Sequence, residues 1–317
     1  MRMTALGTPP APRELTAGRE FSGPVRTALF CHAAGFTGLV LRACATRVRT
    51  PLRVFAPDLR GHGGAPPLPP GADWSVFADD VLATAARLGP GPLIGVGHSL
   101  GGTALLLAEA AAPGTFALLV CHEPILVDPT RDPIRDPIRD PIRETDDSFA
   151  RSAERRRAVF PSKAAALARY SARPPLSELH PDALADYVDS GFTPEPGGGV
   201  RLCCAPQDEA RVYRAAASCR WREALARVAC PVVLLRGENS PVVSAESLGA
   251  ATSELRSAAT RTISGMGHHG PLTHPAAFAS ALDEVFGSAL PDGRPDPPGN
   301  TFRNAPTNGV GQVVDEY

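Results

Sequence analysis

The chain has 317 residues, of which 43% are hydrophobic, and this is enough to build a sizeable buried core. Its formal net charge of −1 provides no overall field that would attract nucleic acid or an anionic membrane, so neither is expected as a partner. No stretch of the sequence approaches the roughly 18 uninterrupted apolar residues of a membrane span. The N-terminus also lacks the apolar segment of a secretion signal.

The seven cysteines point to a reducing compartment. Their number is odd and no pair has C-x-x-C spacing, so neither a disulfide framework nor a zinc site is indicated. Cys31, Cys121 and Cys230 lie in or beside apolar runs, as small buried thiols do. We therefore predict a cytoplasmic protein, and the sequence leaves its oligomeric state open.

Residues 1–20 are rich in proline, glycine and charge and predict an N-terminal extension with at most one edge strand, at 13–21. Apolar runs and helical patterns then alternate. The predicted strands are 27–31, 52–56, 93–96 and 116–121, and the predicted helices are 39–49, 74–88 and 100–112. This alternation is typical of an α/β fold with a mostly parallel sheet and helices on both faces.

Residues 128–228 differ because they lack strong strand runs and contain short helical patterns, which predicts an inserted helical lid. The predicted lid helices are 149–159, 163–170, 182–189, 209–217 and 221–228. An Arg-Asp-Pro-Ile unit occurs three times in 131–142, and its proline at every fourth position predicts an exposed loop. A peptide-docking role for this loop is the alternative interpretation.

Strands and helices alternate again after the lid, with strands at 231–236 and 260–263 and helices at 246–255 and 275–286. The core is therefore predicted to comprise 21–127 and 229–286. Residues 287–317 are rich in proline, glycine, asparagine and aspartate, which predicts a disordered tail.

The sequence Gly97-His98-Ser99-Leu100-Gly101 lies between an apolar strand pattern and an Ala/Leu-rich helical pattern. A serine at such a strand–turn–helix junction is held in strained backbone with its hydroxyl exposed, and glycines on either side relieve crowding. The amide of Leu100 and the helix dipole would both favour an oxyanion. Ser99 is therefore predicted to be a nucleophile.

From about residue 27 to residue 286 the chain resembles the α/β-hydrolase superfamily, in its serine esterase and lipase branch. Five features in the same order carry the resemblance: 31–35 (CHAAG), 58–63 (DLRGHG), 97–102 (GHSLGG), 237–240 (GENS) and 267–268 (GH). The resemblance implies a serine nucleophile, a histidine base, an acid and an oxyanion hole. It also implies a small-molecule acyl substrate and no cofactor.

Position by position, the resemblance makes Ser99 the nucleophile and His268 the general base. Leu100 and Ala34 become the oxyanion donors, although Ala33 stands where the family usually has glycine. His269 is the alternative base. No metal site is predicted, because adjacent histidines rarely bind one ion and no carboxylates flank them.

The acid departs from the family pattern. Ser240 and Pro241 occupy the positions where an aspartate is usual, and neither can orient a histidine as a carboxylate does. Glu123, which follows the strand after the nucleophile helix, is one candidate, because some lipases of the superfamily supply their acid from there. Glu238 is a second candidate, and the absence of any acid is the third possibility.

Residues near these motifs are expected to line the substrate pocket or to support it. The predicted pocket residues are Phe36, His98, His122 and Trp221. His32 is expected to shape the oxyanion loop, and His62 is expected to belong to a structural turn.

Two functions follow as hypotheses. The first is a cofactor-free serine hydrolase that cleaves a small or medium apolar ester, thioester or lactone through an acyl-enzyme. Carbon–carbon hydrolysis, peptidase and perhydrolase chemistry use a similar serine and stay open. The alternative is a catalytically impaired ligand-binding or scaffolding protein, since a fold alone does not decide function.

Overall fold

The computed structural model describes residues 7, 9–126, 141–216, 219 and 221–290, with side chains omitted for 141–147. Its strands are β1 (Arg13–Glu14), β2 (Arg26–Cys31), β3 (Leu52–Ala56), β4 (Leu93–His98), β5 (Phe116–His122), β6 (Val159–Phe160), β7 (Phe192–Pro194), β8 (Val200–Leu202), β9 (Val232–Gly237) and β10 (Ala258–Ile263). Seven of them form one sheet in the order β1-β3-β2-β4-β5-β9-β10. All neighbours pair in parallel except β1 with β3.

The helices are α1 (Arg42–Ala45), α2 (Ser75–Ala85), α3 (Leu100–Ala111), α4 (Pro141–Glu154), α5 (Lys163–Ser171), α6 (Pro181–Ser190), α7 (Pro206–Ala215), α8 (Trp221–Leu225), α9 (Ala245–Glu254), α10 (Gly270–Thr273) and α11 (Pro275–Ala289). Two 3₁₀ helices lie at Gly38–Leu41 and Leu176–Glu178. No helix in the described part of the chain is both long enough and apolar enough to cross a membrane.

Both faces of the central sheet are buried, as parallel sheets require. Along β2, Leu29 and Cys31 pack into one hydrophobic cluster, whereas Ala28 and Phe30 pack into another. Helices α2, α3, α8 and α9 contribute to the first cluster, and α1 and α11 contribute to the second. The predicted α/β fold with a mostly parallel sheet and flanking helices is confirmed.

The region between β5 and β9, which we call the inserted region (residues 141–228), contains α4 to α8 and a small antiparallel sheet in the order β6-β8-β7. The sequence did not predict this sheet, because strands of two or three residues are too short to show period-2 alternation. One predicted helix, 149–159, is wrong at its end: α4 stops at Glu154 and β6 follows.

Two predicted boundaries also differ from the structure. Most of the repeat at 131–142 lies outside the described residues, but its last proline, Pro141, begins α4. Proline is tolerated at the first helical position because the amide missing there has no intrahelical partner anyway. At the other end α11 continues to Ala289, so the predicted tail does not start at 287; residues 291–317 lie outside the described residues.

Candidate active site

Ser99 lies between the end of β4 and the start of α3 with backbone angles φ 53° and ψ −119°. Such a conformation costs a non-glycine residue on the order of 1–3 kcal/mol, so the surrounding structure must enforce it. The two motif glycines are required by contact. A Cβ on Gly97 would lie 2.5 Å from the Gly102 Cα, and one on Gly101 would lie 2.3 Å from the Cys31 carbonyl oxygen.

Replacing Gly101 with alanine is expected to destabilise the protein by about 1–3 kcal/mol, because the new methyl group overlaps backbone that cannot move freely. The matched control is Gly249→Ala in α9, where nothing lies within 4 Å of the added Cβ. That change is expected to stabilise the protein by about 0.4–1 kcal/mol. Urea unfolding of both variants measures the difference, and equal midpoints would contradict the crowding at Gly101.

Ser99 lines a cavity of about 550 Å³ at the carboxyl edge of the sheet. The predicted nucleophile, base and oxyanion donors all line this cavity: Ser99, His268, Leu100 and Ala34. Its remaining wall is largely apolar, with Trp74, Ile125 and Val242 from the core and Phe149, Tyr213 and Ala216 from the inserted region. The structure therefore brings distant sequence motifs together around one cavity.

His268 follows β10 and pairs with Glu123, which follows β5. The distance from His268 Nδ1 to Glu123 Oε2 is 2.7 Å. The Gly237 amide donates a hydrogen bond to the other carboxylate oxygen at 2.7 Å, and the Ser240 hydroxyl donates to Oε2 at 2.5 Å. Glu123 has a positive φ of 47°, and this turn directs its side chain across β9 toward His268.

Glu123 is fully buried, yet its carboxyl group is held in the charged form. Burial alone would raise its pKa, but the hydrogen bond and charge of His268, with smaller contributions from His122 and Ser240, lower it below its ordinary value. A buried carboxylate that accepts from Nδ1 fixes the histidine tautomer and leaves Nε2 free to take a proton.

Glu238, the other acid candidate, does not reach His268. Its side chain is exposed and Oε2 accepts hydrogen bonds from the Ser264 hydroxyl at 2.7 Å and the Gly265 amide at 2.9 Å. It ties one loop to another at the rim of the cavity. Ser240, which occupies the usual aspartate position, contributes a hydrogen bond to the carboxylate of Glu123 instead of a charge.

His98 and His122 do not line the cavity, so their assignment to the pocket wall is wrong. Both are buried beneath His268, and the His98 and His268 rings are 5.1 Å apart. His98 Nε2 donates to the backbone carbonyl of His268 at 2.8 Å, which positions that residue from below. His122 packs edge-on against Phe278. The sequence misplaces them because the near-continuous apolar pattern of a fully buried strand does not show which side chain faces the ligand.

Burial makes this histidine cluster sensitive to acid. It lowers the pKa of His122 to about 4 and that of His269 to about 3, from an ordinary 6.5, and lowers that of His98 well below 6.5. Below pH 6.5 the unfolded chain therefore binds protons that the folded chain does not. The contribution of these histidines to the free energy of unfolding is fully present above pH 6.5 and is lost as the pH drops toward their pKa values in the folded protein.

The free energy of unfolding is expected to decrease between pH 7 and pH 5, by up to about 1.4 kcal/mol per pH unit for each of these histidines. His122→Leu should reduce this slope by the share of one histidine. The interval stays above 4.5, the ordinary pKa of a glutamate, so Glu123 adds little to it. Urea titrations across the range provide the measurement, and an unchanged slope in the variant would refute the assignment.

The loop that carries Ala34 is held by two buried histidines. His32 Nε2 accepts a hydrogen bond from the Leu59 amide at 2.9 Å, and its Nδ1 donates to the Ala33 carbonyl at 2.8 Å. His62 Nε2 accepts from the Gly35 amide at 3.0 Å. These contacts join the loops after β2 and β3 and hold the backbone on both sides of Ala34, in agreement with the expected role of His32.

Phe36 and Trp221, the other two predicted pocket residues, lie elsewhere. Phe36 lines a second cavity of about 510 Å³, which shares Ala34, Phe149, Tyr213 and His269 with the first. Trp221 is 3% exposed and packs in the core cluster that includes α3, so its assignment to the pocket is wrong. Its position at the start of a short amphipathic helix did not distinguish core from cavity.

Among the described residues, no group of three or more potential metal ligands is present.

The comparisons with known proteins agree with this geometry. A family model described as the alpha/beta hydrolase family matches residues 28–281. The chain is 30% identical over 244 residues to 2-(acetamidomethylene)succinate hydrolase of Mesorhizobium japonicum, covering 76% of this chain and 80% of that protein. It is 27% identical over 206 residues to a bifunctional esterase/perhydrolase of Acinetobacter calcoaceticus, covering 64% and 70%.

Solved structures show the same fold. The crystal structure of E-2-(acetamidomethylene)succinate hydrolase superposes with a TM-score of 0.69 at 24% identity and covers 86% of this chain and 97% of that one. A thioesterase domain from the curacin biosynthetic pathway superposes with a TM-score of 0.63 at 23% identity, covering 81% and 90%.

Proposed function

Because the chain belongs to the alpha/beta hydrolase family, we propose that it is a cofactor-free serine hydrolase that cleaves a small or medium apolar ester, thioester or lactone through an acyl-enzyme. The observation that carries the proposal is that His268 lines the same cavity as Ser99 and is hydrogen-bonded, on its other ring nitrogen, to the buried Glu123 behind the cavity wall. Two relatives, one named a hydrolase and the other an esterase/perhydrolase, support the same broad reaction class.

The first half of the proposed reaction uses Ser99 and His268. His268 Nε2 accepts the hydroxyl proton as Ser99 Oγ attacks the substrate carbonyl carbon, and Glu123 stabilises the imidazolium that forms. The amides of Leu100 and Ala34 donate hydrogen bonds to the oxyanion of the tetrahedral intermediate. His268 then returns the proton to the leaving group, and the acyl-enzyme remains.

Water completes the cycle. His268 removes a proton from a water molecule as its oxygen adds to the acyl carbon. The second tetrahedral intermediate then collapses with cleavage of the bond to Ser99 Oγ, which takes the proton back from His268, and the carboxylic acid is released. The apolar wall formed by Trp74, Ile125 and Val242 supports an apolar segment next to the scissile carbonyl. The pairing of Glu123 with His268 weighs against the alternative of an impaired binding protein, because that alternative depended on a missing acid.

A fluorophosphonate probe tests the nucleophile directly. We expect stoichiometric labelling of Ser99, located by peptide mass spectrometry, and turnover of p-nitrophenyl butyrate by the same preparation. Ser99→Ala should abolish both, while Ser280→Ala, on the outer helix α11, should change neither. Labelling that persists in Ser99→Ala, or turnover no faster than that variant, would refute the proposal.

A further inference from the structure

The second cavity carries a concentration of positive charge that the overall charge of −1 does not suggest. Five arginines line it, and Glu209 is the one carboxylate in its described lining. Three of them follow the end of α4, one lies in α5 and one in the turn after α5: Arg155, Arg156, Arg157, Arg169 and Arg173.

Two of these arginines are already engaged. Arg156 forms an ion pair with Glu209 and donates to the Tyr187 hydroxyl. Arg157 donates to the Val159 carbonyl at 2.8 Å and packs over the Phe160 ring. Both guanidinium groups therefore contribute to the wall of the second cavity, and the ion pair with Arg156 neutralises the charge of Glu209.

The other three guanidinium groups have no such partner. Arg155, Arg169 and Arg173 form no side-chain hydrogen bond and no ion pair with any residue in the described ranges. Their side chains are exposed at the rim. Arg155 also acts on the carboxyl group of the adjacent Glu154, so Arg169 and Arg173 are the two guanidinium groups that direct a positive potential into the cavity.

The arginine cavity opens onto the proposed catalytic cavity. The two share Ala34, Phe149, Tyr213 and His269, and Ala34 is the proposed oxyanion donor. Phe149 and Tyr213 stack with ring centroids 5.7 Å apart at this boundary. A ligand whose carbonyl lies at Ser99 can therefore extend along an aromatic boundary toward the arginines.

We propose, on the basis of the proposed hydrolase function, that the substrate carries an anionic oxygen group, a carboxylate or a phosphate, remote from the scissile carbonyl, and that the arginine cavity binds it. The guanidinium fork donates two parallel hydrogen bonds to such a group. The segment between the anion and the carbonyl is the apolar part that the first cavity accommodates. Arg156, held by Glu209 and Tyr187, forms the fixed floor, and Arg169 and Arg173 supply the binding charges.

Kinetic discrimination between two nearly isosteric esters tests the proposal. Mono-p-nitrophenyl glutarate carries a terminal carboxylate where p-nitrophenyl valerate carries a methyl group. The ratio of kcat/KM for the glutarate over the valerate ester is expected to favour the anion. It should fall by about 10- to 100-fold in Arg169→Gln/Arg173→Gln, the loss typical of hydrogen bonds to a charged group.

Arg26→Gln/Arg256→Gln is the matched control, because it removes two charges near the amino ends of β2 and β10, at the opposite edge of the sheet. It should leave the ratio within twofold of the native value. Arg169→Lys/Arg173→Lys keeps the charges but loses the fork, so an intermediate ratio is expected. A native enzyme that prefers the valerate ester, or a ratio that the glutamine variant does not lower, would overturn the proposal.

Binding measured without turnover separates this proposal from the catalytic one. Glutarate and inorganic phosphate are titrated calorimetrically into Ser99→Ala, with and without Arg169→Gln/Arg173→Gln. We expect one of the two anions to bind and its Kd to rise about 10- to 100-fold in the arginine variant; the tighter anion identifies the group. If no ester is hydrolysed but an anion binds through these arginines, the hydrolase function fails and the anion site stands. Binding of neither anion would refute the site.

Discussion

Ser99→Ala and His268→Ala are each expected to lower kcat for a preferred ester by about 10⁴- to 10⁶-fold, and the double variant is expected to lose no more than the larger single loss. In the proposed mechanism the serine and the histidine act as one unit, because the hydroxyl is a weak nucleophile without the base and the base has no proton to take without the hydroxyl. Steady-state kinetics on p-nitrophenyl butyrate provides the measurement. Losses that multiply in the double variant would show that the two residues act independently.

Stability measurements control for folding in this series. Ser99→Ala keeps a Cβ at a φ of 53°, so its melting temperature should stay close to the native one. Ser99→Gly removes the cost of that conformation and is expected to be more stable by about 1 kcal/mol. A Ser99→Gly variant less stable than the native protein would show that the backbone conformation of Ser99 does not cost the protein stability.

The sequence predicted the parts of the site that short motifs determine. The positions of Ser99 and Leu100 could be predicted because the strand, the turn glycines and the helix that define them are adjacent in the chain. In the structure these glycines have no room for a Cβ. The alternation of apolar and amphipathic segments predicted the parallel sheet, and parallel strands end at one edge. That edge explains why Ala34 and His268, separated by more than two hundred residues, line the same cavity.

Long-range side-chain geometry was out of reach. Nothing local distinguishes Glu123 from Glu238, because the choice depends on the positive φ at Glu123 and on hydrogen bonds from residues more than a hundred positions away. Trp221 is similar: a tryptophan on a short helix can line a cavity or fill a core, and packing against α3 decides. The charge of the arginine cavity was also not predictable, since its arginines lie in the segment after α4, in α5 and in the turn after α5, and only the fold brings them together.

The substitution Glu123→Gln is expected to lower kcat by about 10⁴-fold while KM changes little. Glutamine can still accept from His268 Nδ1, but it lacks the charge that stabilises the imidazolium, and its amide can instead donate to Nδ1 and select the wrong tautomer. Glutamine has one acceptor oxygen for the two positions that the Gly237 amide and the Ser240 hydroxyl now bond. When that oxygen accepts from Gly237, the side-chain NH2 group faces Ser240 and His268, and the hydroxyl must rotate to accept from it. Far-ultraviolet circular dichroism and a melting curve check the fold. Retained turnover would remove Glu123 from the mechanism.

Introducing a carboxylate at position 240 tests whether the acid can be supplied from the loop after β9 instead of from Glu123 after β5. Ser240 Oγ lies 2.5 Å from the same Glu123 oxygen that is 2.7 Å from His268 Nδ1, so an aspartate there can approach the imidazole. In Glu123→Gln/Ser240→Asp, kcat should recover by roughly 10- to 100-fold over Glu123→Gln, and Glu123→Gln/Ser240→Asn is the uncharged control.

Ser240→Asp alone places two carboxylates together in a buried site, which raises the pKa of the pair and shifts the acid limb of the kcat/KM profile to higher pH. Equal activity of the aspartate and asparagine double variants would show that position 240 cannot supply the acid in this fold.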